Sequence, residues 1–200
     1  MSAALKLPSP ATFADLLAIP EDERWHEILD GELVERASPS GEHGAAQFSF
    51  GDLLAPFRRR SGGGNPGGWW LATDADIRLD PYNIVRPDVA GWRRERCPQP
   101  PRGFPVDLRP DWVCEILSAS NVRRDRVDKI QIYRRFEIPH YWIVDPQAET
   151  LEVHRWTLQG WLLVLSARRG QTVRAEPFDA LPLQVGVLFG DDPEDEPPAT

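Results

Sequence analysis

R-P-D-V-A-G-W at Arg86–Trp92, D-W-V-C-E-I-L-S-A-S at Asp111–Ser120, a helical run holding Lys129, and H-Y-W-I-V-D-P at His140–Pro146 form the stretch that decides the fold. Short apolar segments of this kind, split by a helix, predict sheet strands buried on both faces, which are nearly all apolar. Three ionisable residues break that pattern: Asp88, Glu115 and Lys129.

Strand parity sharpens the anomaly at Glu115. Alternate side chains face opposite sides, so Glu115 shares a face with Val113 and Leu117, and Trp112, Cys114 and Ile116 take the other. A carboxylate so flanked is costly unless paired, protonated or bound to a metal. The bland alternative is a strand-end Glu in solvent. Asp88 follows Pro87, which cannot donate to a ladder and marks a strand edge or bulge that re-aims the next side chain. An Asp in a Pro-Asp loop is the alternative there.

For the helix, advancing about 100° per residue from Lys129 places Val122, Asp125, Arg126, Ile132, Tyr133 and Phe136 within about 60° of it. Arg123, Arg124, Gln131, Arg134 and Arg135 fall on the far side, so Lys129 is predicted to turn inward. Lys6 and Lys129 are the only lysines, against 21 arginines. A compact ammonium suits a close approach to phosphate or water better than a guanidinium does. A lysine that snorkels or pairs with Asp125 one turn earlier is the competing reading. Two carboxylates can hold Mg²⁺, which keeps several waters and takes phosphate oxygens as further ligands. A lysine beside them can orient or deprotonate a water and offset developing charge.

Outward from this centre, Thr12 caps a short helix ending near Pro20. Trp25 to Ala37 reads as two strands around Asp30-Gly31, a type I' hairpin signal. His43 to Arg60 has helical spacing, with Arg58, Arg59 and Arg60 suited to a helix C-terminus. W-W-L-A-T-D-A-D-I-R-L from Trp69 reads as one strand and I-V-R-P-D-V-A-G-W from Ile84 as the next. Arg93 to Pro110 reads as a long surface loop, and L-E-V-H-R-W with W-L-L-V-L-S-A as a later hairpin. This order predicts a mixed sheet with helices packed against it, on the border of α/β and α+β. The expected organisation is a flexible arm at 1–11, a single domain at 12–190 and an acidic disordered tail at 191–200.

Of 200 residues, 41% are apolar, enough for a packed core. No run approaches the ~20 apolar residues of a membrane span, so no membrane partner is expected. Cys97 and Cys114 suggest no disulfide framework, which predicts a cytoplasmic protein. The four histidines lack zinc-ligand spacing. The net charge of -8 is unevenly spread. Five acids crowd the last ten residues, whereas Arg86 to Arg135 carries eleven Arg and one Lys against seven acids. A basic middle is compatible with a phosphate-bearing substrate and equally with an ordinary Arg-rich surface.

P-D-V at Asp88, E-I-L-S-A-S from Glu115, D-x-x-x-K-x-x-x-Y over Asp125, Lys129 and Tyr133, and Y-W-I-V-D-P at Tyr141 to Pro146 together resemble the bacterial Uma-two family. These are restriction-endonuclease-like proteins of the PD-(D/E)xK nuclease superfamily. E-I-L-D-G-E-L-V-E from Glu27 and S-P-S-G-E-H to His43 fit the family's start. The resemblance covers about Trp25 to Leu188. It implies a restriction-endonuclease-like mixed central sheet flanked by helices, with an N-terminal hairpin and added C-terminal strands. It also implies Asp88 and Glu115 as metal ligands for Mg²⁺, with Mn²⁺ as substitute. The superfamily's usual lysine would fall at Leu117, and the resemblance places its replacement at Lys129. Glu32 and His43 are possible auxiliary ligands or acid/base groups. The implied activity is hydrolysis of DNA phosphodiester bonds. An inactive nucleic-acid-binding or interaction module is the alternative, and a homodimer would let both strands be cut.

Overall fold

Asp30 and Gly31 both take positive φ, 52° and 77°, as a tight two-residue hairpin turn requires. Strand β1 (His26–Leu29) therefore folds back on β2 (Glu32–Glu35), Leu29 opposite Glu32. The computed structural model describes residues 9–36, 38–118 and 121–192. Most of the arm at 1–11 and of the acidic tail at 191–200 thus lies outside the described residues. Ahead of the hairpin, α1 (Phe13–Leu17) begins at Thr12, whose N–H and hydroxyl both donate to Asp15 Oδ2 at 2.8 and 2.9 Å. After it, the Ser40 hydroxyl accepts the His43 N–H (3.2 Å) and caps α2 (Gly41–Leu53). The helix expected to run to Arg60 instead breaks at Leu54, and α3 (Ala55–Arg58) starts afresh with Pro56 in its first turn, where a missing N–H costs nothing.

The two long strands expected next are each two. The first divides into β3 (Trp69–Thr73) and β4 (Ile77–Asp80). The second divides into β5 (Asn83–Val85) and β6 (Val89–Arg93). Asp74, at φ 50°, turns the chain at the first break; Pro87 interrupts the ladder at the second. β4 and β5 belong to a four-stranded antiparallel sheet of order β2-β1-β5-β4. β3 and β6 belong to a six-stranded sheet completed by β7 (Trp112–Ile116), β8 (His140–Asp145), β9 (Thr150–Thr157) and β10 (Gly160–Arg168). Its order is β10-β9-β8-β7-β6-β3, with β7 and β8 parallel and every other pair antiparallel. Between Trp69 and Arg93 the chain thus crosses between sheets twice, and the Asp74 N–H donates to the Asp88 carbonyl (3.3 Å), tying these two crossings together. A two-stranded ribbon, β11 (Thr172–Val173) with β12 (Leu183–Gln184), follows.

The large sheet separates two apolar layers, as parity requires. Trp112, Cys114 and Ile116 pack with Phe50, Trp142 and Phe178 on one side. Val113 and Leu117 pack with Ile132, Tyr133 and Tyr141 on the other. The architecture is α+β, mixed sheets flanked by few helices.

The helix joining β7 to β8 departs from regular geometry. Arg124–Lys129 is π-helical and passes into α4 (Ile130–Arg135). The i→i+5 turn takes up extra residues, and one extra residue shifts the phase of what precedes it by about 100°. Hence Val122, predicted to face inward, is 40% exposed, while Asp125, Lys129, Ile132 and Tyr133 are buried. Among the described residues no helix is long and apolar enough to cross a membrane, and both cysteines are free thiols.

Candidate active site

Four carboxylates and an ammonium that the local elements ought to expel are buried together. Glu27 on β1 is 0% exposed, Asp88, Glu115 and Asp125 are each 1% and Lys129 is 2%. They line one cavity of about 290 Å³, shared with Trp25, Arg36, His43, Gln47, Asp74 and Arg124. Each sheet contributes a strand carboxylate, the second chain crossing supplies Asp88, and the π-helical turn supplies Asp125 and Lys129.

Lys129 is shared among acids. Its ammonium stands 2.9 Å from Glu27 Oε1, 3.0 and 3.1 Å from the two Glu115 oxygens, and 3.8 Å from Asp125 Oδ1. The pairing with Asp125, the competing reading of this lysine, is thus the longest of the three. The Tyr133 hydroxyl donates to Glu115 Oε1 (2.5 Å), and the Arg86 N–H to Glu27 Oε1 (2.6 Å). Asp88 is bound on both oxygens: Arg36 Nη2 (3.0 Å) and His43 Nε2 (3.2 Å) meet Oδ1, and the Ile116 N–H donates to Oδ2 (2.6 Å). Arg36 also reaches Asp74 Oδ1 (3.1 Å), and Gln47 Nε2 ties Asp74 Oδ2 (2.7 Å) to the Asp88 carbonyl (2.9 Å).

Burial works against every charge here, and neighbours decide the outcome. At Glu27 burial pushes the pKa up, but the Lys129 and Arg36 charges and the Arg86 N–H hold it below the usual range. At Glu115 burial prevails over Lys129, with Asp125, Asp88 and Glu27 adding to it, and the pKa lies well above the ordinary value. The two directions oppose although both acids touch one ammonium. A single ammonium cannot offset two carboxylates fully, and Glu115, ringed by other acids, is the one whose pKa rises. Asp125 is pushed up to about 7, by burial first and then by Asp88 and Glu27. Asp88 falls below its usual range because His43, Lys129 and Arg36 outweigh its burial. His43 rises: Asp88 outweighs burial. Lys129 rises too, its three acids overcoming burial. A raised pKa suits the orienting and charge-offsetting part of the expected role better than the deprotonation of water.

Two corrections to the sequence reading concern acids on the hairpin. Glu32 is exposed and outside the cavity, because the register Leu29–Glu32 puts it beside the turn. The buried acid is Glu27, which the reading did not single out; its parity with Leu29 in H-E-I-L carried the same signal used for Glu115. Arg36 had no comparable signal.

The donors present fit a hard divalent cation in kind. All the carboxylate ligands are oxygens, and Glu27 Oε2 and Asp125 Oδ2 are buried with no hydrogen-bond partner. Arg86 lines the cavity but is committed to Asp76 through two 2.7 Å bonds. That leaves five lining carboxyl groups beside Arg36, Arg124, Lys129 and His43, so acids outnumber the cationic side chains by one even with the imidazole counted. Among the described residues no three of His, Cys, Asp and Glu converge as a ready-made cage. Mg²⁺ requires none, since it is typically bound by one or two carboxylates plus waters and substrate phosphate.

Comparison with known proteins adds lineage. A family profile, Uma2, described as "Putative restriction endonuclease", matches residues 12–186. Among solved structures, the fold is similar to "a putative nuclease belonging to DUF820" from Anabaena variabilis ATCC 29413, with TM-score 0.67 and 21% identity over 90% of this chain and 98% of that one. No curated protein matches.

Proposed function

Since this chain belongs to the Uma2 family, we propose that it is a Mg²⁺-dependent endonuclease hydrolysing DNA phosphodiester bonds, with Asp88 and Glu115 as metal-holding carboxylates and Lys129 as their cationic partner. The observation that carries the reading is Lys129, which reaches from the π-helical turn to acids on both sheets, 2.9 Å from Glu27 and 3.0 Å from Glu115. Free thiols suit a cytoplasmic setting, and a homodimer would bring two such cavities to a duplex.

Bound Mg²⁺, with Mn²⁺ as substitute, would acidify a water and neutralise charge on the scissile phosphate. The chain's own residues supply the rest. The Ile116 N–H and His43 fix the Asp88 carboxylate, and Tyr133 fixes Glu115. Lys129 and Arg36 offset negative charge that grows on the phosphate, as preorganised cations do in a water-poor site. Arg124, at the cavity lining, meets the incoming backbone. Asp125 Oδ2, buried and unpartnered, is available to exchange a proton.

A plasmid-nicking assay tests this. Wild type should nick supercoiled DNA in Mg²⁺ or Mn²⁺ and not in EDTA. Asp88→Ala and Glu115→Ala should abolish nicking, and Lys129→Ala should slow it at least about 10²-fold, as lost transition-state donors do. Activity surviving in either acid variant would refute the assignment. One observation favours a second reading, an inactive binding module: Asp88 and Glu115 already have protein donors on their oxygens. Oligonucleotide binding without cleavage by wild type would select it.

A further inference from the structure

Beside the acidic cavity lies a second cleft of about 450 Å³ that shares two of its walls, Trp25 and Arg86. Its character is different. Trp25 is 59% exposed, Phe104 51% and Leu17 45%, an aromatic and apolar floor that folding leaves open. Trp25 is held in place: its indole N–H donates to the Asp22 carbonyl (3.2 Å), and its own carbonyl accepts the Arg36 N–H (2.6 Å). Arg24 is anchored on the carbonyls of Leu16, Leu17 and Ile19 at 2.8–3.2 Å, with its guanidinium 5.8 Å from the Phe104 ring centre. Among the described residues Arg24 makes no ion pair with a carboxylate, although Glu21 also lines the cleft, so Arg24 is the cation there not already paired with an acid. Trp25 also stands two residues before Glu27, and alternate residues of an extended chain share a face.

We infer that this cleft is a nucleobase-binding subsite in which Trp25 stacks an unpaired base of a single-stranded or locally opened nucleic acid next to the phosphate held in the acidic cavity. A fixed, exposed indole offers its face to any base, and a neighbouring cation favours the backbone; together these are the means by which proteins take single strands. A base inside a duplex has no free face for Trp25. The substrate class is therefore an unstacked strand, and the inference rests on the nuclease reading only for what occupies the adjoining cavity.

The test is fluorescence anisotropy of the full chain with labelled oligo-dT, oligo-rU and a blunt DNA duplex, in Ca²⁺, with oligonucleotide integrity checked. Wild type should bind a single strand more tightly than duplex, and the tighter of dT and rU identifies the sugar. Trp25→Ala should weaken single-strand binding about tenfold and Trp25→Phe about threefold or less, within the range of base–aromatic stacking, while duplex binding changes less than about twofold. Equal single-strand affinity of Trp25→Ala and wild type, or equal loss for strand and duplex, would overturn the subsite. The stacking pattern in a protein that fails to nick plasmid would sink the nuclease reading alone. Normal nicking with a silent Trp25→Ala would sink the subsite alone.

Discussion

Lys129 concentrates the cost of charge burial in one side chain. Removing one partner of a buried ionic cluster leaves the others uncompensated, typically at about 3–5 kcal/mol. Lys129→Met should lose that much stability in denaturant titrations with EDTA, and Mg²⁺ should restore part of it by standing in for the ammonium. Asp125 gives a pH signature. Its pKa of about 7 in the fold, against about 3.9 in an unfolded chain, means that the native state holds a proton the unfolded state releases between those values. Stability from this group is full below about pH 4 and is lost as pH rises toward 7. Asp125→Asn removes the dependence, so in EDTA its melting temperature relative to wild type should be higher at pH 8 than at pH 4, by the equivalent of about 4 kcal/mol. Asp88, Glu115 and Lys129 were legible in the sequence because each violates an apolar pattern with a known period. Glu27 violates the same pattern in β1, but the family resemblance pointed to Glu32 instead. Arg36 violates nothing: an arginine at a strand end is ordinary, and only the fold brings it to Asp88.

At the scale of elements, the π-helical turn decides which residues enter the cavity. Regular 100° steps found Lys129, Ile132 and Tyr133, which lie within or after the turn, and failed for Val122, which precedes it. No spacing in the sequence announces a π turn. Deleting exposed Asp128 should let the segment close into a regular helix with Asp125 and Lys129, then three residues apart, still on one face. Helical circular dichroism and Mg²⁺-dependent nicking should both persist. Loss of nicking would show that the widened turn itself is required. The hairpins were easier to read, since Asp30-Gly31 and Gly160 sit where turn chemistry demands positive φ.

Across the whole molecule, sheet membership was the least legible feature. W-W-L-A-T-D-A-D-I-R-L alternates like one strand, yet its halves pair in different sheets, because strand patterns name faces and not partners. The core follows the expected chemistry more directly: Trp112, Trp142 and Phe178 meet edge-on with centroids 5.0–5.6 Å apart. Trp142→Ala should cost about 3–5 kcal/mol in equilibrium unfolding. Divalent cation should raise the wild-type melting temperature by mass action and do so far less in Glu115→Gln. The Asp74–Asp88 backbone bond, which joins the two passages of chain between the sheets, has a consequence for heat. Glu27 and Glu115 stand on different sheets, so any drift of one sheet past the other would change the gap between them without either layer having to melt. Catalytic output in this molecule should therefore fade on warming several degrees ahead of the loss of tertiary structure, with its thermometer built into the site itself.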